Sequence, residues 1–353
     1  MNLSELKEDF YKRYSASDSF LHFVSSGILC PLLGHCGIEY APSVSFALSM
    51  RVQMFARALG GNVIKLQSTD TNRCLVYNFG DRAELYRGFD FDAVSLMSCL
   101  ARRGAKGAQI LYDCTIPEFL PRKEAFAVTL VKAVTRASGI EADALETAAM
   151  AARGSLTDPY LASVYSRKGY CTLISSGEPK SLPLPLSGYK ILSAHCAEKD
   201  KDRSKQIKYT FEQIRRVYPH IGAISDVTPE MLGGAKACVR DKTALRYMYH
   251  LANENERIKT ACAALKRCDI KTLFTEMNTS QKSMERFWDL GAEHLLLARE
   301  CRSLDGVKAA RSWGNGIVAI VENDKTDYVL SMLRNAFENA AGYKPYICVS
   351  EPA

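Results

Sequence analysis

Hydrophobic positions recur at two periods along the chain, and each change of period marks a change of element. Near the start, Leu6, Phe10 and Tyr14 stand four apart, which predicts an amphipathic helix over Leu3 to Tyr14. From Val44 to Asn78 the period falls to two. Val44, Phe46 and Leu48 alternate, then Val52, Met54 and Ala56, and after Gly60-Gly61 the pair Val63 and Lys65 alternates with Ile64 and Leu66. This portion reads as strands, with the paired glycines as a hairpin-grade break. Helical spacing returns over Asp92–Arg103 and Glu124–Ser138, with a strand at Ile110–Cys114 between them and a further helix over Ala142–Arg153.

Three prolines and a glycine fall within Pro179–Gly188, the most linker-like segment. A domain boundary is expected there, dividing the chain into residues 1–185 and 186–353. Beyond it, Tyr189–His195 predicts a strand and Gln206–Val217 a helix. Leu251, Ile258, Cys262 and Leu265 form one apolar stripe, and Phe287, Leu290, His294, Leu295 and Ala298 continue the pattern in a second run. Ile317–Val321 is a run of small or branched apolar residues, as in a buried strand. A helix over Tyr328–Ala341 and a strand over Tyr346–Val349 close the chain. The order strand, helices, strand, helix, strand suits a split βαβ layer, so the fold class expected is α+β.

Composition narrows the function. Hydrophobic content of 47% and charged content of 24% are those of an ordinary globular protein. No apolar run reaches the length of a membrane span, and the polar start MNLSELKEDF is not a signal peptide. The twelve cysteines are scattered, with no C-x-x-C pair and no zinc-site spacing, so free thiols in a reducing cytoplasm are expected. A net charge of +7 arises from basic residues interleaved with acids, as in KDKDRSKQIK at Lys199–Lys208. That pattern is a solvated face rather than a nucleic-acid footprint. Neither a nucleic-acid nor a membrane partner is expected.

Wording and order say more than periodicity. HLANENERI at His250–Ile258, then CDIKTLFTEMNTSQKSMERF, then AARSWGNGIVAIV resemble, in sequence and sequence order, the C-terminal half of the galactokinases of the GHMP kinase family. Those proteins carry H-x-x-x-E-N-x-R-h, then h-M-x-x-S-H-x-S, then A-R-M-T-G-G-G-F-G-G leading into a strand. AISDVTPEML and the closing YKPYICVSEPA fit the same pattern. The resemblance implies a two-domain GHMP-kinase architecture. Its N-terminal half would be a β-rich α/β domain like ribosomal protein S5 domain 2, and its C-terminal half a ferredoxin-like split βαβ domain. It also implies ATP-dependent phosphorylation of a sugar, with Mg2+ as the accompanying ion.

A sugar kinase needs a backbone cradle for the triphosphate, a cation for transition-state charge and a group for the hydroxyl proton. This chain departs from the galactokinase pattern at each. Against the family's G-R-V-N-L-I-G-E-H-T-D-Y stands Gly27 to Tyr40, where Leu29 falls on the arginine. His35 and Glu39 are the candidates for sugar contact there, the alternative being a structural turn. Against the phosphate loop P-x-G-x-G-L-S-S-S-A stands Pro117 to Ala125, without glycine or serine. Arg122 and Lys123 could meet a phosphate as point charges, or this could be a rigid helix entry. Against C-G-I-M-D-Q the only candidate acid is Asp158, which an Asp-Pro turn also explains. The sugar-contacting tyrosine has no clear counterpart, Lys205 lying near its place and Tyr209 four residues late.

The glycine loop shrinks to Trp313-Gly314-Asn315-Gly316. Gly314 and Gly316 could meet a nucleotide or simply shape the turn, and Arg311 is expected to anchor it. Two readings follow. One is a galactokinase-like protein with little or no kinase activity, needing no cofactor and binding a sugar or a protein. The other is a true sugar kinase with divergent loops that uses ATP and Mg2+.

Overall fold

The computed structural model describes residues 2–14, 20–35, 38, 41–69, 74–82, 93–154, 156–175 and 179–352, with the backbone alone at 28–31. Contacts divide the chain into two compact units, Met1–Ile28 with Leu48–Tyr165, and Leu29–Ala47 with Ser166–Ala353.

In the first unit, α1 (Leu3–Tyr14) opens with a reciprocal cap: the Glu5 amide donates to the Asn2 side chain, and the Asn2 amide to the Glu5 carboxylate. Leu6 and Phe10, one turn apart, are fully buried with Phe55 and Leu111. Strand β1 (Leu21–Gly34) pairs with β2 (Ser43–Ala58), and each strand has residues assigned to both units. Strands β3 (Val63–Ser68) and β4 (Cys74–Asn78) form an antiparallel pair. Helix α2 (Ala93–Arg102) precedes β5 (Ala108–Cys114).

The expected β2–β3 hairpin does not form. β5 pairs antiparallel with β2 and parallel with β3, so it lies between them. Gly60 and Gly61 still turn the chain with positive φ. A Cβ at Gly107, however, would stand 2.3 Å from the Gly60 carbonyl, which shows how closely β5 enters beneath the turn. Helices α3 (Arg122–Ala137), α4 (Ala144–Ala152) and α5 (Asp158–Tyr165) complete the unit and pack on one another. The sequence pattern did not announce β1 or α5.

In the second unit, the first residues of β2 pair with β6 (Tyr170–Ile174), which pairs with β7 (Lys180–Pro183). The proline-rich segment read as a linker therefore contains a strand, and Leu182, Leu184 and Leu186 are buried. Alternation of leucine with proline outweighs the turn composition there.

β8 (Tyr189–His195) is followed by α6 (Ser204–Val217), α7 (Pro229–Ala235), α8 (Lys242–Leu265), α9 (Ile270–Phe287) and α10 (Ala292–Ser303). β9 (Val307–Trp313), β10 (Gly316–Glu322), α11 (Thr326–Ala341) and β11 (Tyr346–Ser350) follow. The sheet order β11-β8-β10-β9 is antiparallel throughout, the ferredoxin-like arrangement of a split βαβ unit. The stripe drawn through Phe287 to Ala298 is not one helix. α9 ends at Phe287, and Asp289 adopts a positive φ of 54° before α10 begins.

Candidate functional site

In the second unit, side chains of α8, α9 and β9 converge on the end of β1. Asp241 caps α8 by accepting the amides of Thr243 and Ala244. From that start, His250, Glu254 and Arg257 fall on one buried face at helical spacing. Arg311 on β9 is wholly buried. Its Nε donates to Ser280 Oγ at 2.8 Å, and its Nη2 donates to the Gly34 carbonyl at 2.7 Å and to Glu254 Oε1 at 3.3 Å. Glu254 Oε1 accepts the Gly34 amide at 2.9 Å, and its Oε2 accepts from Arg257 Nε at 2.7 Å. Gly34 has φ of 90°, and a Cβ there would lie 2.2 Å from the Pro42 carbonyl, so only glycine fits.

Two buried guanidiniums thus share one carboxylate, and the charge balance fixes the protonation of the neighbours. Burial works against ionised Glu254, but Arg311, His250, Arg257 and the Gly34 amide together bring its pKa down to about 2. His35 Nε2 lies 3.2 Å from Arg311 Nη2 and 2.8 Å from His250 Nε2. An arginine cannot accept, so His35 Nε2 is the acceptor and His250 Nε2 carries the proton. His250 Nδ1 then accepts from Ser283 Oγ at 2.8 Å. Both rings are neutral, and burial with the nearby guanidiniums holds both pKa values well below 6.5.

Trp288 stacks on His35 at 4.0 Å, and the Arg203 guanidinium lies 5.1 Å from the same indole. Arg203 is itself held by Asp200 at 2.7 Å and by the carbonyls of Lys201 and Asp289.

His35 faces a pocket of about 120 Å³ that it shares with Asp200, Met284, Ser312, Trp313 and Gly314. The Ser312 hydroxyl is buried and has no hydrogen-bond partner among the described residues. Hydroxyl, carboxylate and aromatic side chains together line this cavity.

In the first unit the mouth of α3 is closed upon itself. Pro117 and Pro121 have no amide to offer. The Leu120 amide donates to the Pro117 carbonyl at 3.2 Å, and the Arg122 amide to the Leu120 carbonyl at 2.6 Å. Glu124, in the first helical turn, accepts a hydrogen bond from its own amide, and burial raises its pKa. Arg122 lies 3.6 Å from the Glu118 carboxylate.

No protein-family profile matches the chain. Over 270 residues it is 25% identical to the galactokinase of Halalkalibacterium halodurans, covering 69% of this chain and 68% of that one. It is 22% identical over 380 residues to the galactokinase of Clostridium tetani, across 99% of this chain and 96% of that one. The structure of Lactococcus lactis galactokinase complexed with galactose superposes with a TM-score of 0.82 at 17% identity, over 99% of this chain and 98% of that one. A mevalonate kinase structure follows at 0.63. The chain is galactokinase-like, with the fold of the GHMP kinases.

Within this galactokinase-like chain the sequence-derived candidates fall in separate places. His35 and Gly314 line the same pocket in the second unit. Gly314 turns the two-residue β9–β10 loop at φ of 53°, whereas Gly316 is packed so tightly that a Cβ would stand 1.9 Å from the Ala194 carbonyl. Arg311, expected to anchor the loop, instead ties β9 to Gly34 and Glu254. Lys205 and Tyr209 are both exposed on α6. Glu39 lies outside the described residues.

In the first unit, Arg122 and Lys123 open α3, and Asp158 opens α5, which packs against α3. Among the described residues no group of three acidic, histidine or cysteine side chains could hold a metal ion. None of their helices is long and apolar enough to cross a membrane.

Sequence reasoning missed Trp288, Ser312 and Asp200. A usable signal existed: the chain has two tryptophans, and both border this pocket, Trp288 behind His35 and Trp313 in the wall.

Proposed function

We propose that this galactokinase-like chain is a catalytically impaired homologue, without a triphosphate cradle, that binds a sugar or a protein partner. The mouth of α3 carries the argument. A phosphate cradle works by aiming several unpaired amides at one point where a helix begins. Here two prolines supply no amide, and two of the remaining amides are spent inside the turn. The Glu124 carboxyl sits on an amide at the helix start, where it would repel a phosphate. Arg122, which opens the helix, already lies 3.6 Å from the Glu118 carboxylate. These groups do not fit ATP.

The second unit supports a retained ligand site. Its pocket of about 120 Å³ brings Ser312, Asp200 and His35 beside an indole wall, polar groups that can meet the hydroxyl edge of a sugar. A hexose such as the galactose of the Lactococcus lactis complex is the class to test. Absence of the cradle removes binding and electrostatic stabilisation together, and losing one positioned acid–base group alone costs about two to four decades in rate.

A coupled ADP-release assay over a panel of hexoses tests this reading. The expected result is no turnover above background. Turnover that disappears in Asp158→Ala would overturn it in favour of an active sugar kinase using ATP and Mg2+, with Asp158 on the hydroxyl proton and Arg122 and Lys123 on the phosphates.

A further inference from the structure

A cavity of about 620 Å³ opens in the first unit where the last turns of α3 meet the start of α4. One wall is cationic: Lys132 and Arg136 stand one helical turn apart on α3. Acidic residues line the cavity as well: Glu141 and the two carboxylates of the α4 cap, Asp143 and Glu146. Phe23 of β1 and Ile140 add apolar surface.

Arg136, Glu141, Asp143 and Glu146 are exposed, and Lys132 is half-buried. Among the described residues neither Lys132 nor Arg136 forms a salt bridge or side-chain hydrogen bond, so both cations are available to a ligand. Asp143 and Glu146 are fixed in place, each accepting the other's backbone amide, at 2.8 and 3.0 Å. Each carboxylate keeps acceptor capacity after that single bond. Lys132 is half-buried, and desolvation lowers its pKa. An ammonium held in that setting without a counter-charge is unfavourable, and a carboxylate placed beside it would relieve the cost.

We propose that this cavity is a binding site for a small zwitterion, namely a free amino acid with an apolar side chain. Its carboxylate lies against Lys132 and Arg136, its ammonium against Glu141 and the α4 cap, and its side chain against Phe23 and Ile140. The volume is within the range of small-molecule sites, about 300–1,000 Å³. The cavity lies about 15 Å along α3 from the helix mouth, counting about 1.5 Å per residue. This inference therefore stands or falls independently of the fate of the phosphate cradle.

The test is a calorimetric titration of the full chain with L-phenylalanine, with 3-phenylpropionate and phenethylamine as probes lacking one charge each. Saturable binding of the amino acid alone is expected, weakened about tenfold by Lys132→Met and by Glu141→Gln, the scale of one charge-assisted hydrogen bond. Glu141 is exposed, so its variant keeps the fold, and circular dichroism melts verify both proteins. No saturable heat with phenylalanine at about 10 mM, a free energy near −3 kcal/mol, would overturn the proposal. Equal binding of phenylpropionate, or indifference to Glu141→Gln, would overturn it as well.

Discussion

The Nε2 atoms of His35 and His250 lie 2.8 Å apart, and Arg311 decides which of them holds the proton. With a guanidinium 3.2 Å from His35 Nε2, neither imidazole gains a second proton without placing like charges in a buried site. The folded chain therefore keeps both rings neutral at pH values where the unfolded chain protonates them.

Stability is expected to fall as the pH drops below neutrality. The pKa of His250 is lowered from 6.5 to about 3 and that of His195 from 6.5 to about 4, in both cases chiefly by burial. A depressed folded pKa means stability that is fully present above 6.5 and lost as pH falls toward the folded value. Each group contributes a slope of up to about 1.4 kcal/mol per pH unit. Glu254 adds its loss only lower, between 4.5 and about 2. Melting temperatures at pH 7.5, 6.5 and 5.5 should decline, and the decline should be shallower in His250→Gln. A flat profile over that range would contradict the neutral-histidine assignment.

Removing the cation that organises the cluster should be severe. Arg311→Met takes the guanidinium donor from the Gly34 carbonyl and leaves the buried Glu254 carboxylate with Arg257 as its one cationic partner among the described residues. Breaking one side of a buried pair costs about 3–5 kcal/mol. Glu254→Gln should cost a comparable amount, and the double variant less than the sum, because the two share one interaction. Urea unfolding of the four proteins measures this directly. Strict additivity would mean that the two residues act separately.

Much of this was written in the sequence, for identifiable reasons. Leu6 and Phe10 are buried because helical period leaves an apolar face only one place to go. Of the stripe expected on α11, Val329, Met332, Leu333, Ala336, Phe337 and Ala340, the members Val329, Leu333 and Phe337 are buried while Met332 and Ala340 are exposed. His250, Glu254, Arg257 and Arg311 carried the resemblance to galactokinases, and they are the buried network. What stayed hidden is what depends on distant partners. The place of β5 between β2 and β3 is a matter of strand order, which period cannot encode. His35 pairs with His250 across 215 positions, and no local spacing announces that contact. Pro179–Gly188 misled because prolines signal a break, while the leucines between them were already committed to a core.

The two glycines of the shortened loop should respond differently to substitution. Gly316→Ala drives a Cβ to 1.9 Å from the Ala194 carbonyl, so β8 and β10 must separate. Gly314→Ala meets no atom within 4 Å and carries only the strain of its left-handed backbone, about 1–2 kcal/mol. Thermal melts should rank Gly316→Ala well below Gly314→Ala. The reverse order would show that the turn, rather than the strand contact, holds the loop.

Charge at the α3 mouth should matter little to ligand binding. If Arg122 serves Glu118 and the helix entry, Arg122→Ala and Lys123→Ala should leave hexose affinity unchanged in calorimetry and shift stability by less than about 1 kcal/mol, as for exposed pairs. His35→Ala, which opens one wall of the second unit's pocket, should reduce hexose affinity about tenfold or more. Loss of hexose binding in the α3 variants with no loss in His35→Ala would place the ligand elsewhere.

A triphosphate has no place to bind if the α3 mouth is closed upon itself. Calorimetric titration of the purified chain with Mg-ATP asks that most directly, with thermal stabilisation as a second readout. The prediction is no heat and no rise in melting temperature at millimolar nucleotide, since a ligand without a site adds nothing to folded-state stability. Saturable micromolar binding would contradict the account and return this chain to the working sugar kinases.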